Sequence, residues 1–321
     1  QGYLQLINRK NVEMLISSTS VKKLAEYVEN RDEVFCSGLF LSARWMVISQ
    51  LDRLGIQMIV LPDRDSAEYC AADLYHLIEG DRVYFLPDSG KSLERSNYKS
   101  SLGVQRTSAI GKILEYKEGE QMIIVTYPSA LEEIIPEKGK ISGSLLKLAA
   151  GDEKPYEEIK EILFANGFER VDFVSEPGQF AVRGALIDIF SYSFNNPFRI
   201  SFFGDEIESI NIFDANTQLS IEKVDFVDIY PDLSSSEDSD GAMVTDILPE
   251  STLVWMDSSD MYKDKSFFSE LQKFKNIYME LPLSRQEEEV IKFNISPQPV
   301  FNKNFELLTE EDKKMTEIEI D

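Results

Sequence analysis

Four short apolar runs, each separated from the next by a helical pattern, constrain the fold of the first 136 residues most. The runs are Glu33–Cys36, Gln57–Leu61, Arg82–Pro87 and Gln121–Thr126. Helices are predicted between and before them, over Val12–Tyr27, Leu41–Leu54, Asp65–Ile78 and Arg106–Tyr116, with a polar loop up to Ser101. Strands that alternate with helices of about 10 to 15 residues predict a parallel sheet wrapped by helices. We therefore expect a three-layer α/β domain.

From about residue 137 the pattern changes to strands joined by tight turns. A short helix is predicted over Tyr156–Asn166, ending at Gly167. The strands Phe168–Val174 and Phe180–Phe190 follow, joined at Pro177-Gly178, whose residues suit the two central positions of a type II turn. This run predicts an antiparallel meander backed by a helix, which is a compact α+β domain.

The next strand pair is predicted around a two-residue loop. Phe198–Phe203 and Glu206–Phe213 flank Gly204-Asp205, and glycine at the first position is the signature of a type II′ turn. Phe202, Phe203 and Ile207 are predicted to be core residues. Alternation along Phe180–Phe190 puts Arg183 on the face of Ala185, Ile187 and Ile189, and puts Leu186, Asp188 and Phe190 on the other face with Gly184.

Beyond residue 232 the apolar signals are sparser. Residues 233–241 form a polar linker, Leu253–Met256 predicts a buried strand, and Phe267–Phe274 predicts a helix. The charged residues from Thr309 onward are expected to be frayed.

Charge and cysteine usage limit the classes of partner. Asp and Glu number 57 against 33 Lys and Arg, for a net charge of −24, so tight binding to DNA by this chain alone is not expected. Cys36 and Cys70 lie in apolar segments and are predicted to be buried and reduced, which indicates a reducing cytosol, although sequence leaves a disulfide between them open. No membrane span or signal peptide is predicted, so we expect a cytoplasmic protein with no membrane partner.

A nucleotide-binding α/β domain would need a phosphate loop of glycines followed by Lys and a hydroxyl. Cys36–Arg44, after the first strand, has one glycine and three bulky residues. Ser89–Ser92 ends as such a loop ends, but Phe85 stands where the motif requires its first glycine. We therefore predict no working phosphate loop and no cofactor.

Other catalytic arrangements find little support in the sequence. His76 is the single histidine, which rules out a multi-histidine zinc site, and we expect it to be a structural residue. Carboxylate pairs such as Asp63 and Asp65 are frequent in so acidic a chain, and a Mg²⁺-binding or glycosidase-like pair stays open. We predict no catalytic residue and no metal site.

A dense motif pattern runs through residues 167–218. Its parts are Gly167–Asp172, Glu176–Phe190, Pro197–Ile200, Phe202–Ile210, Phe213-Asp214 and Thr217-Gln218. This pattern resembles the second domain of the UvrB family. Transcription-repair coupling factors also carry such a module, in an amino-terminal part that looks like UvrB without a working nucleotide site. Because no phosphate loop is predicted, the chain is most similar to that second family, and Leu86–Asp88, Pro128–Leu131 and Ile247–Pro249 extend the resemblance thinly.

The resemblance implies both architecture and partners. Residues 1–136 and 232–321 would be two parts of a RecA-like domain, split by an inserted UvrB domain 2-like domain at 137–231. The inserted domain would recruit UvrA and so link stalled RNA polymerase to nucleotide excision repair. RNA polymerase and DNA would be bound by domains outside this chain, which would be its intramolecular partners and act as an ATP-dependent translocase.

Three residues are predicted to contact UvrA. Arg183 matches the arginine of the Phe-x-Val-Arg-Gly motif that the resemblance implicates, and arginine suits docking because its planar fork binds carboxylates and stacks on aromatic rings. Arg170 lies near the upstream basic position, and Phe180 is a candidate aromatic anchor. UvrB-type sequences commonly have a second arginine where this chain has Ala181, so the contact is expected to be weaker or differently distributed.

Two other functions remain open at this stage. The chain could be an NTPase with a divergent loop, or a module that restrains the motor domains of the full protein through its acidic surface. For Arg183 itself, the alternative to docking is a solvated arginine paired with Glu176 or Asp172.

Overall fold

The computed structural model describes residues 19–39, 43–51, 55–78, 80–90, 96–234, 236, 241–280 and 290–293. The helices are α1 (Thr19–Asn30), α2 (Ala43–Gln50), α3 (Arg64–Leu77), α4 (Ser96–Glu115), α5 (Pro128–Glu132), α6 (Lys138–Ser144), α7 (Tyr156–Ala165) and α8 (Phe268–Leu271). The strands are β1 (Glu33–Ser37), β2 (Ile56–Val60), β3 (Val83–Phe85), β4 (Met122–Thr126), β5 (Leu146–Ala149), β6 (Glu169–Arg170), β7 (Gln179–Arg183), β8 (Leu186–Phe190), β9 (Phe198–Phe203), β10 (Glu206–Phe213), β11 (Ser220–Val224), β12 (Phe226–Ile229), β13 (Leu253–Met256), β14 (Lys275–Tyr278) and β15 (Val290–Lys292).

The chain divides into two compact units. The first comprises Gln1–Phe85, Lys117–Pro128 and Pro249–Asp321, and the second comprises Leu86–Tyr116 and Ser129–Leu248. The predicted boundaries at 137 and 231 differ from these, since they leave residues 86–116, 129–136 and 232–248 with the α/β domain.

A buried arginine on α4 explains why the second unit is larger than the inserted domain predicted at 137–231. The Arg106 side chain is fully buried, and its guanidinium donates to the backbone carbonyls of Pro87, Ala130, Glu133 and Ser234 at 2.7 to 3.2 Å. One side chain therefore joins α4 to three other segments of the same unit. The predicted loop up to Ser101 was wrong in its last residues, because α4 begins at Ser96.

The first unit is built on a parallel sheet with the strand order β15-β1-β14-β13-β2-β4-β3. β2 and β4 are buried along their whole length, as continuous apolar runs in a parallel sheet should be. Gln57 is a buried polar residue of β2, and its side-chain oxygen accepts a hydrogen bond of 3.0 Å from the indole of Trp255 on β13. The predicted α/β domain is confirmed.

The second unit contains a six-stranded sheet, ordered β11-β10-β9-β8-β7-β6, and the pair β12-β5. From β7 to β11 the strands form the predicted antiparallel meander. One face of the larger sheet, the inner face, packs against α7 and the β12-β5 pair through a core that includes Ile159, Leu163, Phe180, Ile187, Ile189, Phe198, Ile200, Ile207 and Ile210. The opposite face is called the outer face below.

Two parts of the predicted meander were wrong. Phe168–Val174 does not form a hairpin with the following strand, because only Glu169 and Arg170 are in β6 and they pair in parallel with β7. The reason is that Val174 is buried on the outer face with Ala181, Phe190 and Phe213, and partly buried Val171 packs against the same cluster. Residues 171–176 therefore run across that face. The turn at Gly178 is present, with a φ of 85°.

The segment Phe180–Phe190 is two strands and not one. β7 and β8 are joined at Gly184-Ala185, with Gly184 at a φ of 61° and Arg183 paired directly with Leu186. Extending the alternation through this turn put Arg183 on the wrong face, since residues that pair across antiparallel strands share a face. Arg183 therefore lies on the outer face with Leu186, Asp188 and Phe190. The Gly204-Asp205 turn is as predicted, with Gly204 at a φ of 64°. Phe203, the last residue of β9, was predicted to be a core residue but is 79% exposed, because Phe202 beside it occupies the inner face.

Several smaller predictions can also be judged. Cys36 and Cys70 are free and buried, and burial raises the pKa of the Cys36 thiol to about 12. His76 is exposed in the last turn of α3, and Gly167 ends the helix α7 with a φ of 79°. In the part of the chain that the structure describes, no helix is long and apolar enough to cross a membrane. Val12, Leu41, Leu54 and the end from Thr309 lie outside the described residues.

Candidate protein-docking surface

A single buried carboxylate organises the outer face of the meander. Asp188 lies at the centre of β8 and is only 1% exposed. In the register its neighbours are Ala181 on β7 and Arg199 on β9. Because a buried carboxylate is costly unless cations and hydrogen bonds surround it, Asp188 needs partners on this face.

Arg199 is the principal partner of Asp188. Its Nε donates to Oδ1 at 2.7 Å and its Nη2 donates to Oδ2 at 2.9 Å, which is the two-pronged geometry of a strong guanidinium-carboxylate pair. The guanidinium also lies over the ring of buried Phe213, 4.2 Å from its centre. Hydrogen bonding to Asp188 raises the pKa of Arg199, and burial opposes this shift.

The loop after β10 supplies a further partner for Arg199. The Gln218 side-chain oxygen accepts a hydrogen bond of 3.0 Å from Arg199 Nη2. Gln218 has a φ of 61°, in the left-handed region that non-glycine residues rarely adopt. Asp214 holds the loop in this shape by accepting from the backbone N–H groups of Asn216 and Thr217, and the bonds from Thr217 lower the pKa of Asp214.

Arg183 is the exposed member of the cluster. It makes an ion pair with Oδ2 of Asp188, and its guanidinium lies over the ring of Phe173, 4.9 Å from the centre. One third of the Arg183 side chain, 33%, is open to solvent, compared with 19% for Arg199. Two guanidiniums share one carboxylate, so the cluster carries a formal charge of +1 that reaches the surface at Arg183.

The other predicted contact residues lie elsewhere. Arg170 is exposed on β6, paired with Phe180, a position of the inner face, so the register does not bring it to the face of Arg183. Phe180 is fully buried in the inner core, with its ring against that of Phe164 at 5.0 Å. It has no surface to offer a partner in this fold, which corrects its prediction as an aromatic anchor. Ala181 is buried opposite Asp188, where the short side chain fits among apolar neighbours.

Sequence reasoning missed the roles of Asp188, Arg199 and Phe173. A signal was available for Asp188, because one acid inside the apolar strand Leu-Ile-Asp-Ile-Phe demands a cation from an adjacent strand. Arg199 is the basic residue of the neighbouring strand. Phe173 carried no comparable signal, because its position depends on the course of residues 171–176 over the outer face.

Arg44 and Ser89, one from each segment compared with a phosphate loop, have partners within the chain. Arg44, after β1, donates to Asp257 at 2.6 Å and to Glu280 at 2.8 Å. In the second unit, Ser89 donates its backbone N–H and its hydroxyl to the Glu133 carboxylate, at 2.7 and 2.8 Å. Among the described residues, no group of three or more His, Cys, Asp or Glu is placed to hold a metal ion.

The fold and the surface define the class of this domain. The family model described as the UvrB interaction domain matches residues 146–234, which contain the whole meander and the Asp188 cluster. The second unit therefore carries a UvrB interaction domain, a module named for an interaction and not for a reaction.

The chain is also similar to longer proteins of one particular family. The chain is 29% identical to the transcription-repair-coupling factor of Mycobacterium tuberculosis over 221 residues, which cover 67% of this chain and 18% of that protein. It is 30% identical to the factor of Bacillus subtilis over 206 residues, covering 63% and 17%, and 31% identical to that of Escherichia coli over 110 residues, covering 34% and 10%. The resemblance to the transcription-repair coupling factor family is thus confirmed, and the chain spans less than one fifth of the length of these relatives.

Proposed function

We propose that this chain is the UvrA-recruiting module of a transcription-coupled DNA repair factor, and that UvrA docks on the outer face of the meander through Arg183. The observation that carries the proposal is the formal charge of +1 on the cluster of Arg183, Asp188 and Arg199, in a chain of net charge −24. A cation that is fixed in place and one third exposed favours a partner that presents a carboxylate.

The neighbours of Arg183 prepare it for docking. Asp188 holds one side of the guanidinium and the Phe173 ring covers one of its faces, so little side-chain entropy is left to lose on binding. Asp188 and Arg199 are positioning residues in this scheme. Arg170, at the edge strand, is proposed as a second and weaker contact, because it is exposed but lies beside the inner face.

Nucleotide hydrolysis is not part of the proposed function of this chain. Support comes from Arg44 at the start of α2, which is already paired with two carboxylates, and from Ser89, which donates to Glu133. Contacts with RNA polymerase and DNA, and ATP-driven movement along DNA, are assigned to other parts of the full protein. The proposed role in transcription-coupled DNA repair implies a cytosolic protein.

Calorimetric titration of the chain with UvrA tests the proposal. The parent chain is expected to bind, and Arg183→Glu is expected to weaken binding by ~2 kcal/mol or more if Arg183 is a hot spot. Since a new carboxylate beside Asp188 strains the fold, Arg183→Gln is measured as well and should show a clear loss in the same direction. Lys263→Glu, an exposed charge reversal in the first unit, is the matched control and should bind like the parent.

The outcomes are separable. If no complex forms with the parent chain, the proposed function is wrong. If the complex forms but both Arg183 variants bind as well as the parent, Arg183 lies outside the contact. A titration with Mg²⁺ and ATP completes the test, because heat of binding or a thermal shift would support the alternative of a divergent NTPase.

A further inference from the structure

The strands β2 and β13 form a topological switch point in the parallel sheet of the first unit. They are neighbours, in register from Leu253 beside Gln57 to Met256 beside Val60. The chain leaves β2 toward β3 at one side of the sheet and leaves β13 toward β14 at the other side. Open α/β sheets bind ligands outside the carboxyl ends of two strands whose connections diverge in this way. The residues that follow β2 and β13 are therefore the place to expect a ligand.

These residues carry a surplus of negative charge. Asp63 lies just beyond β2, Asp257 follows β13 directly, and Glu280 lies beyond β14. The backbone N–H of Glu280 donates to the carbonyl of Asp257 at 2.7 Å, so these two segments are adjacent. Arg44 pairs with both of their carboxylates, at 2.6 and 2.8 Å. Three carboxylates and one guanidinium leave this group with a formal charge of −2, and it reaches solvent at exposed Asp63 and at Glu280.

A buried tyrosine hydroxyl among these carboxylates has no hydrogen-bond partner within the part of the chain that the structure describes. The hydroxyl belongs to Tyr262, a residue that is only 2% exposed. Burial and the negative charges of Asp257, Asp63 and Glu280 raise the pKa of this hydroxyl, which places it in the field of all three carboxylates. Because an unpaired buried hydroxyl costs stability, its presence calls for a ligand that would satisfy it.

The arrangement favours a guanidinium over a phosphate or a metal ion. A formal charge of −2 repels phosphate, which distinguishes this site from that of a divergent NTPase. Among the described residues, the acidic groups are not placed to share a metal ion. A guanidinium is larger and carries five N–H donors in a planar fork, so it can reach acceptors that are farther apart. Arg44 already does so, since its Nη1 and Nη2 donate to two different carboxylates.

We propose that this switch point is a binding site for the arginine side chain of a protein partner. The incoming guanidinium would lie between Asp63 and Glu280 and donate to the hydroxyl of Tyr262, while Arg44 keeps Asp257 in place. The bound cation would satisfy the unpaired hydroxyl and remove half of the surplus charge. The site lies in the first unit, so it is separate from the outer face of the meander and would give the full repair factor a second protein contact.

The test is a titration with N-acetyl-L-argininamide, whose single charge is the guanidinium. Trp45 adjoins Arg44 and Trp255 lies two residues before Asp257, so their fluorescence follows binding. A saturable change is expected, with a dissociation constant of about 1 to 10 mM for one charged side chain. N-acetyl-L-lysinamide should bind at least about threefold more weakly, because its ammonium has no fork. Neutral N-acetyl-L-citrullinamide should not bind, and free arginine should bind more weakly because its carboxylate is repelled.

Two variants identify the residues of the site. Asp63→Asn removes a charge but keeps the cap of α3, because asparagine caps helices as well as aspartate does. Tyr262→Phe removes the unpaired hydroxyl, so it should weaken binding without lowering the thermal unfolding midpoint. Each is expected to weaken binding of the probe at least about threefold. Asp264→Asn, which neutralises an exposed acid in the same loop, is the control and should bind like the parent.

Every outcome decides for or against the site. If N-acetyl-L-argininamide does not bind, if both variants bind it like the parent, or if the citrulline compound binds equally well, the site is wrong. Equal binding of the lysine compound would overturn the assignment to arginine, and tighter binding of free arginine would overturn the assignment to a protein partner. None of these results bears on UvrA docking, which is proposed for the second unit.

Discussion

Asp188 and Arg199 form a two-pronged ion pair across β8 and β9, at 2.7 and 2.9 Å, with the carboxylate only 1% exposed. Taking one partner from a buried pair leaves the other charge uncompensated, which costs far more than the pair gains over an apolar alternative. The cluster of Arg183, Asp188 and Arg199 is therefore a weak point of the fold as well as the base of the proposed docking surface.

Asp188→Asn is expected to destabilise the second unit by about 3 kcal/mol, because it leaves two guanidiniums on the outer face without a counter-ion. Both tryptophans, Trp45 and Trp255, lie in the first unit, so fluorescence does not follow this change. Hydrogen exchange of the amides in β7 to β10, measured by mass spectrometry, reports the stability of the second unit instead. Asp172→Asn, which neutralises an exposed acid nearby, is the control and should change the free energy of opening derived from exchange by less than about 0.5 kcal/mol. Equal effects of the two variants would contradict the role given to Asp188.

A second prediction concerns Gln218, which combines a strained backbone conformation with a side chain that accepts a hydrogen bond from Arg199. Its φ of 61° costs about 1 kcal/mol for a residue with a Cβ, and its side-chain oxygen accepts from Arg199. Gln218→Ala loses the hydrogen bond and keeps the strain, whereas Gln218→Gly loses both. We expect the alanine variant to be the less stable of the two by about 0.5 to 1 kcal/mol in thermal unfolding of the second unit. The reverse order would show that the loop does not hold this backbone conformation.

The sequence predicted the features that depend on short-range patterns. Continuous apolar runs gave the parallel sheet, and Gly204 gave a hairpin of the right type. The errors arose where long-range packing decided the structure: Val174 buries itself against Phe213 and so keeps β6 from forming a hairpin with β7. For the proposed docking surface, the sequence pointed to Arg183 but not to its counter-ion. The turn at Gly184 puts Arg183 and Asp188 on the same face of the sheet, and this turn was not predicted.

A third prediction concerns Arg106. Its buried role could not be foreseen from sequence, because the farthest of its carbonyl partners, Ser234, lies 128 residues away. Lysine cannot replace a guanidinium that serves four carbonyls from a planar fork. Arg106→Lys is therefore expected to destabilise the second unit by about 3 kcal/mol, through buried carbonyls that lose their donors. Arg170→Lys, at an exposed site, is the control. Near-ultraviolet circular dichroism on heating follows both, and equal midpoints would contradict the anchoring role of Arg106.

Asp257 gives the last prediction, a dependence of stability on pH in the first unit. Burial raises the pKa of Asp257 above its usual 3.8, with Arg44 opposing the shift and Glu280 adding to it. Since the folded state holds this proton more tightly than the unfolded state does, the contribution of Asp257 to stability is greatest below pH 3.8. It is lost as the pH rises through the folded pKa.

The comparison with Asp257→Asn isolates this contribution from those of the other carboxyl groups. Trp45 and Trp255 fluorescence reports urea unfolding of the first unit, and midpoints are measured for parent and variant from pH 4 to pH 8. The amide oxygen of the variant can still accept the hydrogen bond from Arg44, which is 2.6 Å in the parent, so the variant resembles the protonated parent and is expected to match its stability at acid pH. The stability of the parent relative to the variant should then fall as the pH rises, and become constant at neutral pH. Asp260→Asn gives the effect of removing one negative charge nearby at the surface. An advantage of the parent that grows with pH would mean that the Arg44 pair outweighs burial, and that the pKa of Asp257 is lowered in the fold.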